Sequence, residues 1–247
     1  MCYSAAMDLK NQDLIAIGKA AELLGVSVDT LRRWDKSGKL PVVKSTGGHR
    51  LYSRFQIELF LNDLQLLAKD WVESGIEIPA KLHCSNSAIF QARLHKMELL
   101  LSQVKELGSI FPLIVAVAGE IGNNSFDHNL GSWADIPGVF FGYDIRKKII
   151  VLADRGQGVL ATLKRVRPSL QNHAEALRVT FVEIISGRAP ESRGNGLKFV
   201  RQVIADNPIG LVFRTGDTEL ILRKDEAKLD IHHSITSFRG CLTFINF

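Results

Sequence analysis

Residues 115–131, "VAVAGEIGNNSFDHNLG", set an apolar helical run directly ahead of a dense group of polar side chains. If Val115 to His128 is one helix, Glu120, Asn124 and either Asp127 or His128 recur every three or four residues and share a face. Such a face is not ordinary core. It is either a solvated stripe or part of a site, and the rest of the chain decides between them.

With 247 residues, 46% of them hydrophobic, the chain has room for one large domain or two small ones around a real core, which argues against disorder. Apolar runs such as "FPLIVAVAG" and "KKIIVLA" fall short of the roughly 20 residues a membrane span needs, and the N-terminus shows no signal-peptide pattern. A cytoplasmic protein without a membrane partner is expected. Cys2, Cys84 and Cys241 are scattered, without spacing for a disulfide framework or zinc, and the adjacent His232 and His233 have no cysteine nearby.

The net charge of +5 is unevenly placed: between Thr30 and Arg54 stand Arg32, Arg33, Lys36, Lys39, Lys44, Arg50 and Arg54 against the single acid Asp35. A local basic patch suits a polyanion, because each neutralised phosphate releases condensed counterions. The pattern around it is specific. Ile17, Ala20, Ala21 and Leu24 keep helical spacing up to Gly25, which suits a left-handed helix end. Ser27 is placed to cap a second helix, with Asp29 in its first turn and Val28, Leu31 and Trp34 at helical spacing. "VVKSTGGHRLYS" then has the composition of a tight hairpin, and residues 56–69 resume helical periodicity.

Residues 15–62 therefore resemble the winged helix-turn-helix of the MerR and excisionase class, with "GVSVDTLRRWDKSGKLP" as recognition unit and "GGHRLYS" as wing. The resemblance implies that Thr30, Arg32 and Arg33 approach the major groove of double-stranded DNA, while His49, Arg50 and Tyr52, with Lys44 of the same basic segment, serve the wing and the phosphates. Arginine pairs bidentately with guanine edges or phosphate, so the residue types fit. Trp34 is assigned to packing.

After Leu67 the character changes. Residues 67–88 hold Gly75, Pro79 and clustered polar residues, read as a linker between a domain of residues 1–66 and a second of residues 89–247. The second domain shows helical spacing at Phe90, Leu94, Met97, Leu101 and Val104, then the Glu120 helix and strands at "GVFFGYD" and "KKIIVLAD". Helices follow near 170–186 and at 197–204, with strands at "IGLVFRT", "ELILRK" and "CLTFINF". This order predicts an α+β sandwich with helices on one face of a mixed sheet.

Two further boxes follow the polar helix. "LADRGQGV" puts Asp154 at the end of an apolar strand with Gly156 and Gly158 after it, and "SRGNGLKFV" puts Gly194 and Gly196 at a helix start. Glycines there let backbone approach phosphate, and a helix N-terminus offers unpaired amides and a positive dipole end.

The three boxes in order resemble the GHKL superfamily of gyrase, heat-shock chaperone, histidine kinase and mismatch-repair ATPases, whose Bergerat-type α/β sandwich binds ATP. The resemblance implies that Asn124 ligates Mg2+ (magnesium), that Glu120 orients or activates water, and that Asp154 accepts from the adenine amine beside Gly156 and Gly158. It further implies that Gly194, Asn195, Gly196 and Leu197 hold phosphates under a lid of residues 159–192. Either Asp127 or His128 would face the phosphates or simply cap the helix, with His128 slightly preferred for the phosphates. "RLHKMELLL" places a lysine after His95, unlike a phosphoacceptor helix, so His95 is read as exposed.

Two functions fit these features: a DNA-binding transcriptional regulator, expected as a homodimer, whose ATP module switches its assembly or DNA affinity; and an anti-sigma-type serine kinase acting on a partner protein. A recombination accessory factor of the excisionase kind is a third, of lower weight.

Overall fold

The computed structural model describes residues 14–61, 63–75, 77–183 and 196–247. Within them the chain is α+β and divides into two compact units, residues 14–67 with 77–81, and residues 68–75 with 82–247.

The N-terminal unit begins with β1 (Leu14–Ala16) and α1 (Ile17–Leu24). Gly25, at φ 68°, ends α1 as its spacing predicts, since a side chain would be strained there. The Ser27 hydroxyl accepts the Thr30 N–H at 3.1 Å and so caps α2 (Val28–Ser37). A hairpin of β2 (Val43–Lys44) and β3 (Arg50–Ser53) follows, with β1 on the other side of β3, so the small sheet is antiparallel in the order β1-β3-β2. After α3 (Arg54–Leu61), Trp34 is buried with its ring 5.0 Å from Phe60 and the Lys39 ammonium 4.7 Å above it. That is the packing role expected of Trp34.

Two expectations change at this point. The single helix read over residues 56–69 is two, because Asp63 accepts the Leu66 N–H at 3.0 Å and starts a new helix, α4 (Leu64–Ser74). The stretch read as a linker, residues 67–88, carries most of α4 and then β4 (His83–Cys84). Leu64, Leu67, Ala68, Trp71 and Val72 of α4 are buried, an i, i+3, i+4, i+7, i+8 stripe that gives this helix an apolar face to pack.

The C-terminal unit continues with α5 (Ser87–Leu101), α6 (Phe111–Asn129), β5 (Val139–Asp144), β6 (Ile149–Asp154), α7 (Val159–Lys164), α8 (His173–Val182), α9 (Gly196–Ala205), β7 (Gly210–Leu222) and β8 (Asp230–Asn246). The sheet runs β4-β5-β6-β8-β7 with every neighbouring pair antiparallel, so it is not the mixed sheet expected. The separate strands read at 209–215 and 219–224 are one strand, β7, with register irregularities against β8 around Gly216. Strand alternation divides the sheet's residues between two faces. Val139, Phe141, Ile150, Leu152 and Ile245 join Phe90, Ile114, Val117 and Ile121 of α5 and α6 in the main core, whereas Phe140 turns the other way toward Trp71, 6.3 Å between ring centroids. Among the described residues no helix is long and apolar enough to cross a membrane.

Helices α5 and α6 approach closely at Gly122, where an added methyl would meet the Phe90 ring. Gly122→Ala is therefore expected to lower stability by about 1–3 kcal/mol, measured as a reduced urea midpoint at unchanged slope.

Candidate functional site

Strand β6 delivers Asp154 to its end with 2% of the residue exposed. The Ser125 hydroxyl donates to Oδ2 at 2.8 Å, and the Gly156 N–H donates to Oδ1 at 2.9 Å. The Asn129 side-chain nitrogen adds a longer contact to Oδ1 at 3.4 Å, while its side-chain amide oxygen accepts the Gln157 N–H at 2.8 Å. One helix face thus holds both the carboxylate and the loop after it. Burial pushes the Asp154 carboxyl above its ordinary value, and the Gly156, Ser125 and Cys241 hydrogen bonds pull it partly back. Cys241 lies opposite Asp154 in the β6–β8 register, and its thiol is pushed well above its ordinary value, first by burial and then by the neighbouring carboxylate.

Asp154 forms part of the wall of a cavity whose apolar sides include Leu152, Val159, Leu163, Leu197 and Phe213. Asn124, His128 and Thr243 add polar groups. Asp127 is exposed and is not among the lining residues, so of the two alternatives on α6 it is His128 that faces this cavity. A methyl on Gly196 would meet the Glu120 carboxylate and come within 3.5 Å of the Asn124 amide nitrogen, so the first turn of α9 stands against both side chains. The amides of such a turn lack helical partners and form the positive end of the helix dipole.

On the N-terminal unit, Arg32 and Arg33 of α2 extend into solvent. Arg32 pairs with Asp29 at 2.6 Å, and Arg33 donates to the Thr30 hydroxyl at 3.0 Å. Lys44 and His49 are exposed at the hairpin. Arg50 is half-buried and pairs through Nε with Asp35 at 2.7 Å, tying the hairpin to α2. Residues 17–52 match the family described as MerR family regulatory protein. This segment is a MerR-family helix-turn-helix domain. The chain matches no curated protein.

Two residues expected to touch DNA from the MerR-family domain are corrected. Thr30 is 1% exposed, its hydroxyl engaged with Ser27 and with Glu77, so it serves the start of α2 and presents nothing to a groove. Tyr52 is fully buried, and its hydroxyl donates to the Leu31 carbonyl at 3.4 Å. It stands two residues from Arg50, on the side of β3 that faces α2. Burial, and after it the Asp35 charge, raises the Tyr52 phenol above its ordinary value, and the Arg50 charge opposes them.

Of the residues expected at the other site, Asn124, His128, Asp154, Gly158 and Leu197 line one cavity, and Glu120 and Gly196 meet beside it. Gly156 packs elsewhere: a methyl there would run into the Asn129 amide, so this glycine lets the loop close on α6. Gly194 and Asn195 lie outside the described residues, as does the lid beyond residue 183; its earlier part forms α7 and α8. Ser125 and Asn129 are not singled out by the three boxes, although they repeat the i, i+4 spacing of Glu120, Asn124 and His128 one residue along. Thr243 and Cys241 come from β8 and carry no local signal.

The raised Asp154 pKa has a definite sign for stability. The folded chain holds this proton more tightly than the unfolded chain, so the residue's contribution is full below the ordinary value of 3.8 and is lost as pH rises through the folded value. Relative to Asp154→Asn, the parent should lose unfolding free energy as pH rises across that window, as measured by urea titrations from acid to neutral pH. A difference between the two proteins that is flat with pH would contradict the assignment.

Proposed function

We propose that the chain is a DNA-binding regulator whose C-terminal unit is a GHKL-type module binding ATP with Mg2+. The carrying observation is Asp154: a buried carboxylate at the edge of an apolar-walled cavity, held by donors from Ser125 and Gly156. In its ionised form this carboxylate only accepts hydrogen bonds, so a ligand that meets it in that form must offer a donor, as the exocyclic amine of adenine does. The cavity's apolar sides suit a flat base.

The remaining groups fit the rest of such a ligand. The α9 amides beside Gly196 suit phosphate oxygens, and the Asn124 amide oxygen suits a hard cation that keeps most of its waters. Bound there, the cation would neutralise phosphate charge. Glu120, one helical turn before Asn124, is the residue in this reading that holds and orients a water at the phosphate end. His128 takes the phosphate-facing role on α6. Two copies of the chain are proposed to act together, since paired half-sites about one DNA turn apart are the usual target of helix-turn-helix dimers.

ATP binding is tested by calorimetry on the parent and Asp154→Asn. Loss of affinity in a folded variant is expected, and equal affinity would remove Asp154 from the site. Glu120→Gln should keep ATP and slow any turnover, because an amide positions water but accepts a proton poorly.

For the DNA surface, Arg33→Ala and Lys44→Ala should weaken binding. Removing a side chain that neutralises one phosphate should lower the salt slope by about one, whereas removing a base-reading arginine should instead cost about 1–3 kcal/mol at one base position. Unchanged binding in both variants would turn the domain's basic surface toward a protein partner.

A further inference from the structure

Asp154 and Arg155 are neighbours in sequence, but their side chains serve opposite faces of the sheet. Asp154 meets Ser125 on α6, while the Arg155 guanidinium lies over Trp71 of α4, with Cζ 5.8 Å from the ring centroid. Arg155 also pairs with Asp135, and its side chain is only 16% exposed. Asp135 meets the charge through Nη2, while the buried Nη1 has no hydrogen-bond partner among the described residues and the electron-rich indole face lies against the guanidinium as a second favourable contact. Gly75, just past the end of α4 and at φ 65°, completes the enclosure: a methyl there would stand 3.0 Å from Nη2.

This second half of α4 is seated on the outer face of the sheet by more than one contact. Trp71 is 1% exposed and packs on Phe140 and on His83, 6.0 Å between centroids in the second pair. Two residues on, the Glu73 carboxylate accepts from the Thr236 hydroxyl at 2.8 Å and pairs with the buried Arg214 at 3.4 Å. The loop after β6 is therefore held from both sides, by Asn129 through the Gln157 N–H and, through Arg155, by Asp135 and Trp71.

We infer that Arg155 is a positioning residue that links occupation of the Asp154 cavity to the docking of α4 against the sheet. The inference rests on the nucleotide reading above and adds to it that the helix by which the chain enters this unit belongs to the foundation of the site. A ligand hydrogen-bonded to Asp154 favours one arrangement of residues 154–158. Arg155 carries that preference to Trp71, and by linkage a docked α4 favours the ligand to the same degree.

The test uses the full-length chain with Trp71 as its only tryptophan, made by Trp34→Phe and Trp133→Phe, titrated with MgATP while binding is followed independently by calorimetry. Trp71 emission is expected to shift with the same saturation curve as the heat. Arg155→Ala should abolish the shift and weaken MgATP by about fivefold or more. In the parent background, Trp71→Ala should weaken MgATP comparably, with the double variant little worse than either single one, and Trp71→Phe should restore affinity by returning an aromatic face. A residue that only supports the fold would not make Trp71 report on the ligand. If MgATP binds by calorimetry while Trp71 emission stays constant, the link is overturned and the nucleotide reading stands. If the parent binds no MgATP, both fall.

Discussion

A carboxylate buried at the end of a central strand is the constraint around which the C-terminal unit is built. Leaving Asp154 charged without partners would be strongly unfavourable, so its oxygens must be met by donors that arrive at the right height and angle. Ser125 and Asn129 meet them from the last turns of α6, which fixes where that helix ends. The Gly156 N–H meets them from the loop, which is possible because Gly156 has no side chain to strike Asn129. On the far side, Gly240 of β8 approaches the Asp154 carbonyl so closely that a methyl would collide with it, and its φ of 98° is one that glycine adopts without strain. The end of α6 and the path of the loop both converge on this one ionisable group, and β8 closes against its backbone.

The same arrangement leaves part of that group's hydrogen-bonding capacity next to an apolar-walled cavity. A buried acceptor beside apolar sides selects by what it refuses, because a ligand group that only accepts would leave two acceptors facing each other. The N-terminal unit selects by different physics. Its exposed Arg32, Arg33 and Lys44 present charge that is sensitive to salt and tolerant of small displacements. A chain with both surfaces can respond to a small molecule through one and to a polyanion through the other.

Much of this was legible in the sequence where backbone chemistry acts locally. Gly25 and Ser27 mark the turn between α1 and α2 because a left-handed residue and a capping hydroxyl each have few alternatives. The spacing of Glu120, Asn124 and His128 identified the polar face of α6, and the end of an apolar run located Asp154. What was not legible depends on partners distant in sequence. Thr30 and Tyr52 look like surface polar groups in a basic segment, and only the arrival of Glu77 and of the Leu31 carbonyl makes them interior. α4 was hidden behind the Gly75 and Pro79 that follow it, although its apolar stripe was present. Cys241 and Thr243 reach the cavity through strand pairing with β6, which no local pattern reveals.

The central claim, that the Asp154 cavity takes an adenine nucleotide, is tested most directly by calorimetric titration of the purified chain with MgATP and, separately, MgGTP. The oxygen that replaces the amine on guanine is an acceptor, so it meets the Asp154 carboxylate unfavourably. Saturable binding of ATP, with GTP weaker by about tenfold or more, is the predicted result. Equal affinity for the two nucleotides, or binding of neither, would contradict it.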